Sequence, residues 1–400
     1  MLNESEPERL SAGLAENTTP DVKSLAFFLP QFHPTPENNE WWGEGFTEWR
    51  NVVKTSPRFD GHYQPRLPAD LGYYDLRLIE SRIEQQELAR DHAIDGFVYY
   101  HYWFNGRRML ERPVDDILRH DELTMPFSLC WANESWSNTW GPTEGSKSGE
   151  TRMLVEQTYS HEDDLSHIRY LSQFFADERY ITQDGKPLFL VYRAHQLPDP
   201  ERTLDTWRHE ASRLGVGALH ICAVQNAFFD DELQDPTLLG FDAAVEFQPD
   251  SRHREPIQPE NGQASSEKVY DYRTAVDMSL AQELPSYERY PCVMPNWDNS
   301  PRRREGATIY VNSTPEEYGR WILETLLKYQ RSRADASLLF VNSWNEWAEG
   351  SPLEPDERWG KAYLEAHRKA ISAFGAIVCK PMPLPSSWCE VPIELNNVIL

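Results

Sequence analysis

Eight short apolar runs, rich in β-branched and aromatic residues, recur along this 400-residue chain: SLAFFLP (24–30), DGFVYYHYW (95–103), PFSLCWANE (126–134), PLFLVYR (187–193), LHICAV (219–224), FDAAVEFQP (241–249), YPCVMPNW (290–297) and SLLFVNSW (337–344). Continuous runs of this kind suit strands of a parallel sheet covered on both faces. Helical periodicity fills several of the gaps, at 75–93, 203–215 and 314–333, the last opened by Thr314 as N-cap and Pro315 in the first turn. Length alone allows two or three average domains or one large barrel. Eight strand–helix units, with no Gly-rich phosphate loop after the first strand, predict an α/β fold of the (β/α)8 TIM-barrel type over an open doubly wound sheet. The expected organisation is a disordered segment at 1–20, one barrel domain at 21–375 with long loops on its C-terminal face, and an extension at 376–400 that packs on the barrel or serves an interface.

Nearly every run ends in polar or aromatic residues: LPQFHP, YHYWFN, WANESW, VYRAH, AVQNAF, EFQPD and PNWDN lead up to NSWNEW. In a TIM barrel the C-terminal strand ends converge on one bowl, so residues far apart in sequence are expected to meet there. Aromatic rings with amides, carboxylates and a few His or Arg suit a neutral, hydroxyl-rich ligand. Sugar C–H faces pack on rings, and each desolvated hydroxyl needs a polar partner. A carbohydrate site is therefore expected. Its candidate acids are Glu134, Glu246, Glu346 and Glu349, and glycosidic cleavage needs two carboxyl groups in different protonation states.

Charge and cysteine usage narrow the partners. A formal net charge of -25 leaves only short Arg groups such as PRRRE (301–305), too little to track a phosphate backbone, so nucleic acid is not an expected partner. The first twenty residues lack the apolar core of a signal peptide, and no apolar run is long enough to span a membrane. The expected location is cytoplasmic, or periplasmic or secreted if a leader was removed. The five cysteines are too sparse for a disulfide framework or a zinc site; Cys130, Cys222 and Cys292 fall in predicted strands, while Cys379 and Cys389 in the tail could pair. No metal or cofactor is expected, and the partner is an oligosaccharide or polysaccharide substrate.

Six ordered motifs, FLPQFHPTPENNEWWGEGFTEWRNV, GHYQPRLPADLGYYDLR, YYHYWFNGRRML, LCWANESW, RYITQDGKPLFLVYR and NSWNEWAEGSPLEPD, together resemble the WbsX family over roughly residues 24–370. Proteins of that family are often described as O-antigen glycosyltransferases and are related to glycoside hydrolase family 99. The resemblance implies a (β/α)8 barrel acting on glycans. A similar Asn-Glu-Trp-x-Glu-Gly segment in family 99 supplies both catalytic carboxylates, which assigns Glu346 as general base on the sugar 2-hydroxyl and Glu349 as the acid that protonates the leaving oxygen. The implied route runs through a 1,2-anhydro sugar with retained configuration and favours α-manno-configured sugars, including rhamnose-like ones. A competing arrangement uses Glu134 as acid and Glu346 as nucleophile, the ordinary retaining pair with carboxyls roughly 5 to 5.5 Å apart.

Further candidates surround these. Trp42, Trp49, Trp103, Trp136 and Trp344 are sugar platforms or core fillers, and Glu48 is a ligand contact or the partner of a buried Arg. His33 and His101 follow strands. Tyr100, Asn133, Tyr192, Arg193, Gln248, Asn296 and Asn345 would bind hydroxyls if they point inward, a choice that strand parity decides. Segments 230–240 and 251–273 read as loops on the catalytic side, the second long enough to shape substrate choice or act as a lid. Three function classes follow: a retaining glycoside hydrolase or transglycosylase, a glycosyltransferase, and a non-catalytic glycan-binding barrel. The sequence lacks an Asp-x-Asp motif and a Rossmann-like pattern for a nucleotide diphosphate, which favours the first.

Overall fold

A computed structural model describes residues 22–137, 152–226, 234–250, 255–258, 266–332 and 337–378. Each apolar run becomes a barrel strand: β1 (Lys23–Phe28), β2 (Gly96–Phe104), β3 (Phe127–Trp131), β4 (Lys186–Val191), β5 (His220–Asn226), β6 (Ala243–Phe247), β7 in two pieces (Arg289–Tyr290 and Cys292–Val293) and β8 (Leu338–Val341). All barrel pairings are parallel and run in chain order, and β8 returns to β1 through Lys23↔Leu338. Pro291, which has no N–H to give a ladder, divides β7: its first piece pairs with β6 and its second with β8, and this closes the ring.

Helices cover the outside, as right-handed crossovers between parallel strands require. The largest are Ile79–Asp91, His161–Phe175, Pro200–Arg213, Tyr272–Ala281, Pro315–Ser332 and Ala362–Val378. Thr314 caps the helix at Pro315, its hydroxyl accepting the Glu317 N–H at 3.3 Å. Two crossovers are abbreviated: Arg112–Ile117 is a short helix after β2, and after β5 the described residues form only the 3-10 turn Pro236–Leu239. His367 ties two layers together, taking Ser24 Oγ at 2.9 Å from β1 and Tyr318 OH at 3.0 Å from the neighbouring helix, and burial lowers its pKa to about 3.

Strand parity sorts the side chains. Phe27 of β1 turns into the barrel and meets Tyr100, Phe247 and Phe340 at ring distances of 5.6, 5.4 and 5.8 Å, so four strands interdigitate there. Its neighbour Phe28 turns outward onto Phe97 and Tyr99. Cys130, Cys222 and Cys292 are buried free thiols, each pushed up by burial.

The segment read as a loop at 251–273 departs from that reading where it is described. Lys268–Asp271 is a strand paired in parallel with Thr308–Val311, so the excursions after β6 and β7 form a ribbon at the rim, and Tyr272 already starts a helix. The pair Val269↔Ile309 is buried on one face of this ribbon and Tyr270↔Tyr310 on the other, with the two rings 5.3 Å apart. The expectations for 1–20, for the tail beyond residue 378 with Cys379 and Cys389, and for 230–233, 251–254 and 259–265 lie outside the described residues. Among the described residues no helix is long and apolar enough to cross a membrane.

Candidate active site

The segment after β8 builds the centre of the site. Glu346 precedes the 3-10 turn Trp347–Glu349, its N–H held by Ser343 Oγ at 2.8 Å, and the Glu349 N–H donates to the Glu346 carbonyl at 3.1 Å. In a 3-10 turn side chains three apart eclipse, so the i, i+3 spacing of NEWAE sends both carboxyl groups to the same side. That side is a cavity of about 410 Å³ at the C-terminal end of the barrel.

Arg302, from the excursion after β7, joins these carboxylates. Its Nη2 lies 3.0 Å from Glu346 Oε2, its Nη1 2.7 Å from Glu349 Oε1 and its Nε 2.7 Å from Glu48 Oε1. Among the described residues nothing donates to Glu346 Oε1 or Glu349 Oε2, so each carboxyl keeps one oxygen for a ligand. Burial raises the pKa of both, Glu346 to about 8, against the opposing attraction of Arg302.

Glu346→Gln is therefore expected to stabilise the protein. The folded pKa of Glu346 lies above its ordinary value of 4.5, so the native protonated form contributes fully below that value and its advantage is lost as pH rises through about 8. Thermal unfolding should show Tm of the variant roughly 5 °C above wild type at pH 9 and equal to it near pH 4. A constant offset across that range would sink the assignment.

Glu354 completes the segment as a structural acid. It accepts from Tyr74 OH at 2.8 Å, Gln85 Nε2 at 2.6 Å and Trp347 Nε1 at 2.6 Å, and burial raises it to about 7. These bonds fix Trp347, the middle of the turn that carries Glu349.

Of the residues expected at the site, Trp42, Glu48, Tyr100, Glu134, Trp136, Tyr192, Glu346 and Glu349 line the cavity. Glu134 is paired with Arg193 through Oε2 alone, Nε donating at 2.8 Å with a second contact from Nη2. The others are drawn into the support. His101 and Trp103 sit on the outward parity of β2: His101 Nε2 lies 3.0 Å from His167 Nε2, and Trp103 Nε1 donates to Asp163 at 2.8 Å. Trp49 donates to the Tyr74 carbonyl at 2.8 Å and packs on Trp347, and Trp344 is wholly buried against Phe97. Asn345 clamps both backbone groups of Leu29, at 2.7 and 3.0 Å. Asn133 likewise holds Arg193 N and O, at 2.7 and 3.0 Å, and Asn296 donates to the Gly350 carbonyl at 3.2 Å. Gln248 spans Glu246 and the Asp250 N–H, both at 2.9 Å. His33 is buried, with burial lowering its pKa to about 4. Glu246 faces outward toward Arg289 and Lys328 beneath the helices, which removes it from the candidate acids.

Several lining residues were not anticipated, chiefly Arg302, Tyr102, Trp297, Asn299 and Lys268. Tyr102 was within reach, since it shares the parity of Tyr100. Among the described residues no group of His, Cys, Asp or Glu could hold a metal ion.

Fold and site together define a (β/α)8 barrel with an acidic, aromatic-walled bowl at its C-terminal face. Residues 24–367 match the model of the family described as Glycosyltransferase WbsX, and the chain belongs to that family. It is 40% identical over 387 residues to the WxcX protein of Xanthomonas campestris pv. campestris, covering 94% of this chain. The chain spans about half, 54%, of the length of the curated relatives it matches. Among solved structures, the GH99 endo-alpha-mannosidase from Bacteroides thetaiotaomicron superposes with a TM-score of 0.53 at 14% identity, covering 90% of this chain and 98% of that one. A glycoside hydrolase-like protein gives 0.54 at 13% identity, with 92% and 97% covered. At these identities the likeness establishes the fold.

Proposed function

We propose that the chain is a retaining glycoside hydrolase, or transglycosylase, acting on α-manno-configured, mannose- or rhamnose-like linkages of bacterial polysaccharide or O-antigen-type glycans. The observation that carries this reading is the division of oxygens at the centre: Arg302 takes one from each of Glu346 and Glu349, two side chains that line the cavity, and the other has no donor among the described residues. The fold shared with an endo-alpha-mannosidase supports the same reading.

In this mechanism the proton that the coupled pair retains rests on Glu349, and Glu346, as the carboxylate, takes the proton of the sugar 2-hydroxyl while O2 attacks the anomeric carbon. The glycosidic C–O bond breaks, and Glu349 gives its proton to the leaving oxygen. Glu349, now a carboxylate, takes a proton from water; the hydroxide opens the 1,2-anhydro ring at C1 and O2 recovers its proton from Glu346. Two inversions at C1 give net retention. An intramolecular nucleophile supplies its own proximity, so no enzyme carboxylate has to touch C1. The aromatic walls at Tyr100, Tyr102, Tyr192, Trp42 and Trp136 offer faces for sugar C–H groups.

The family's description favours a second reading, transfer from a sugar nucleotide. An NMR time course with α-mannosyl and α-rhamnosyl oligosaccharides, run with and without sugar nucleotides, separates the two. Hydrolysis with retained configuration, indifferent to nucleotide and lost in Glu346→Gln and Glu349→Gln, is the expected result. Product formed only when a sugar nucleotide is supplied would establish the transferase instead. Binding without turnover in either condition would leave a glycan-binding barrel.

A further inference from the structure

The geometry points to Glu48 as a positioning residue that governs proton occupancy at Glu346 and Glu349 by acting through Arg302, rather than as a contact for the sugar. The inference rests on the reading of those two glutamates as base and acid. Glu48 stands immediately before the helix Trp49–Lys54, with its side chain only 2% exposed, and its Oε1 accepts from Arg302 Nε at 2.7 Å and from Asn51 Nδ2 at 3.3 Å. A guanidinium is planar with its donors in a fixed fork, so an anchor on Nε sets the direction of both Nη groups. Those Nη groups are the ones that reach Glu346 and Glu349.

Charge counting gives the anchor a second effect. Three carboxylates share one guanidinium in a site where each has a side chain at most 15% exposed. Fully ionised, the cluster would carry a net charge of minus two, and burial in a poorly hydrated site resists that. The third negative charge therefore helps to retain a proton on the pair. General acid catalysis needs that proton. Removing Glu48 would release Arg302 to the other two carboxylates and make both easier to ionise.

The other groups facing the cluster are accounted for. Tyr100 and Tyr102 of β2 and Tyr192, just after β4, line the cavity, and burial holds each phenol well above its ordinary value, so they stay neutral. Glu134, in the turn that follows β3, is paired with Arg193. Lys268 and Arg303 lie on the ribbon side of the same cavity and are the more exposed cations.

The test is the pH dependence of kcat/KM in Glu48→Gln. The alkaline limb, which reports loss of the acid's proton, is expected to move down by about one pH unit, with the loss at neutral pH falling on kcat. Arg302→Gln should move the same limb upward, and it provides the comparison if Glu48→Gln folds poorly. Carbon-13 NMR titration of protein labelled at the glutamate carboxyls reads the same displacements without turnover, so it stands even if the hydrolase reading fails. A raised KM with an unmoved profile and unmoved carboxyl midpoints in Glu48→Gln would make Glu48 a sugar contact and overturn the proposal.

Discussion

Glu349→Gln is expected to lower kcat/KM on an unactivated α-mannosyl or α-rhamnosyl oligosaccharide by about a thousandfold, within the range that a positioned general acid contributes. The loss should depend on the leaving group. An aryl glycoside whose phenol departs without a proton needs no acid in the first step, so Glu349→Gln should retain most of the wild-type rate of phenol release. Glu346→Gln should lose both substrates about equally, because activation of O2 is needed whatever leaves. The geometry supports this division: the two carboxyl groups emerge from one 3-10 turn, share Arg302 and line the cavity, and each keeps one oxygen with no donor among the described residues. The same experiment separates Glu349 from Glu134. If Glu134 were the acid, rescue by a good leaving group would appear in Glu134→Gln, and Glu349→Gln would show none.

The barrel was legible because buried parallel strands must be continuously apolar, and all eight runs carried that signature without competition from amphipathic helices. Which strand-end residues enter the bowl was much less legible. Tyr100 and His101 are adjacent, yet one lines the cavity and the other stacks beneath a helix on His167. A parity count could place Tyr102 beside Tyr100, but it has no origin until one residue is known to face inward. The asparagines illustrate a different limit. Asn133, Asn296 and Asn345 read as hydroxyl ligands, but at sharp turns leaving the strands the nearest groups needing partners are backbone ones, and Asn345 satisfies both of those on Leu29. Arg302 was hidden by its surroundings. In PRRRE three consecutive arginines look like one exposed basic group, and only the fold of the excursion after β7 separates the buried one from its exposed neighbours.

Gly350→Ala is expected to be the most damaging single-methyl change in the site. Gly350 closes the turn that carries Glu349 with φ +63°, a left-handed conformation that costs an L-residue about 1 kcal/mol. A Cβ there would also stand 2.7 Å from Asp298 Cβ, 2.8 Å from its N and 2.9 Å from its O, which real Cβ contacts do not reach. Asp298 has little freedom to yield. Its N–H donates to the Glu349 carbonyl at 2.6 Å, and its carboxylate accepts from His62 Nε2 and Gln64 Nε2, each at 2.7 Å. Burial pushes that carboxyl up, but the bonds from His62 and Gln64 outweigh it and hold Asp298 below the usual carboxylate range. Conformational strain and overpacking together should cost about 3 kcal/mol and lower Tm by roughly 4 °C. Relief through a shift of the turn would move Glu349 relative to Arg302, and a displacement of about 1 Å should cost around a hundredfold in kcat. Gly185→Ala supplies the control, since Gly185 shares a positive φ of +74° but has nothing within 4 Å of the added Cβ. It should lose only about 1 kcal/mol of stability and none of the activity. If the two variants proved equally active, the contact with Asp298 would not be what holds Glu349 in place.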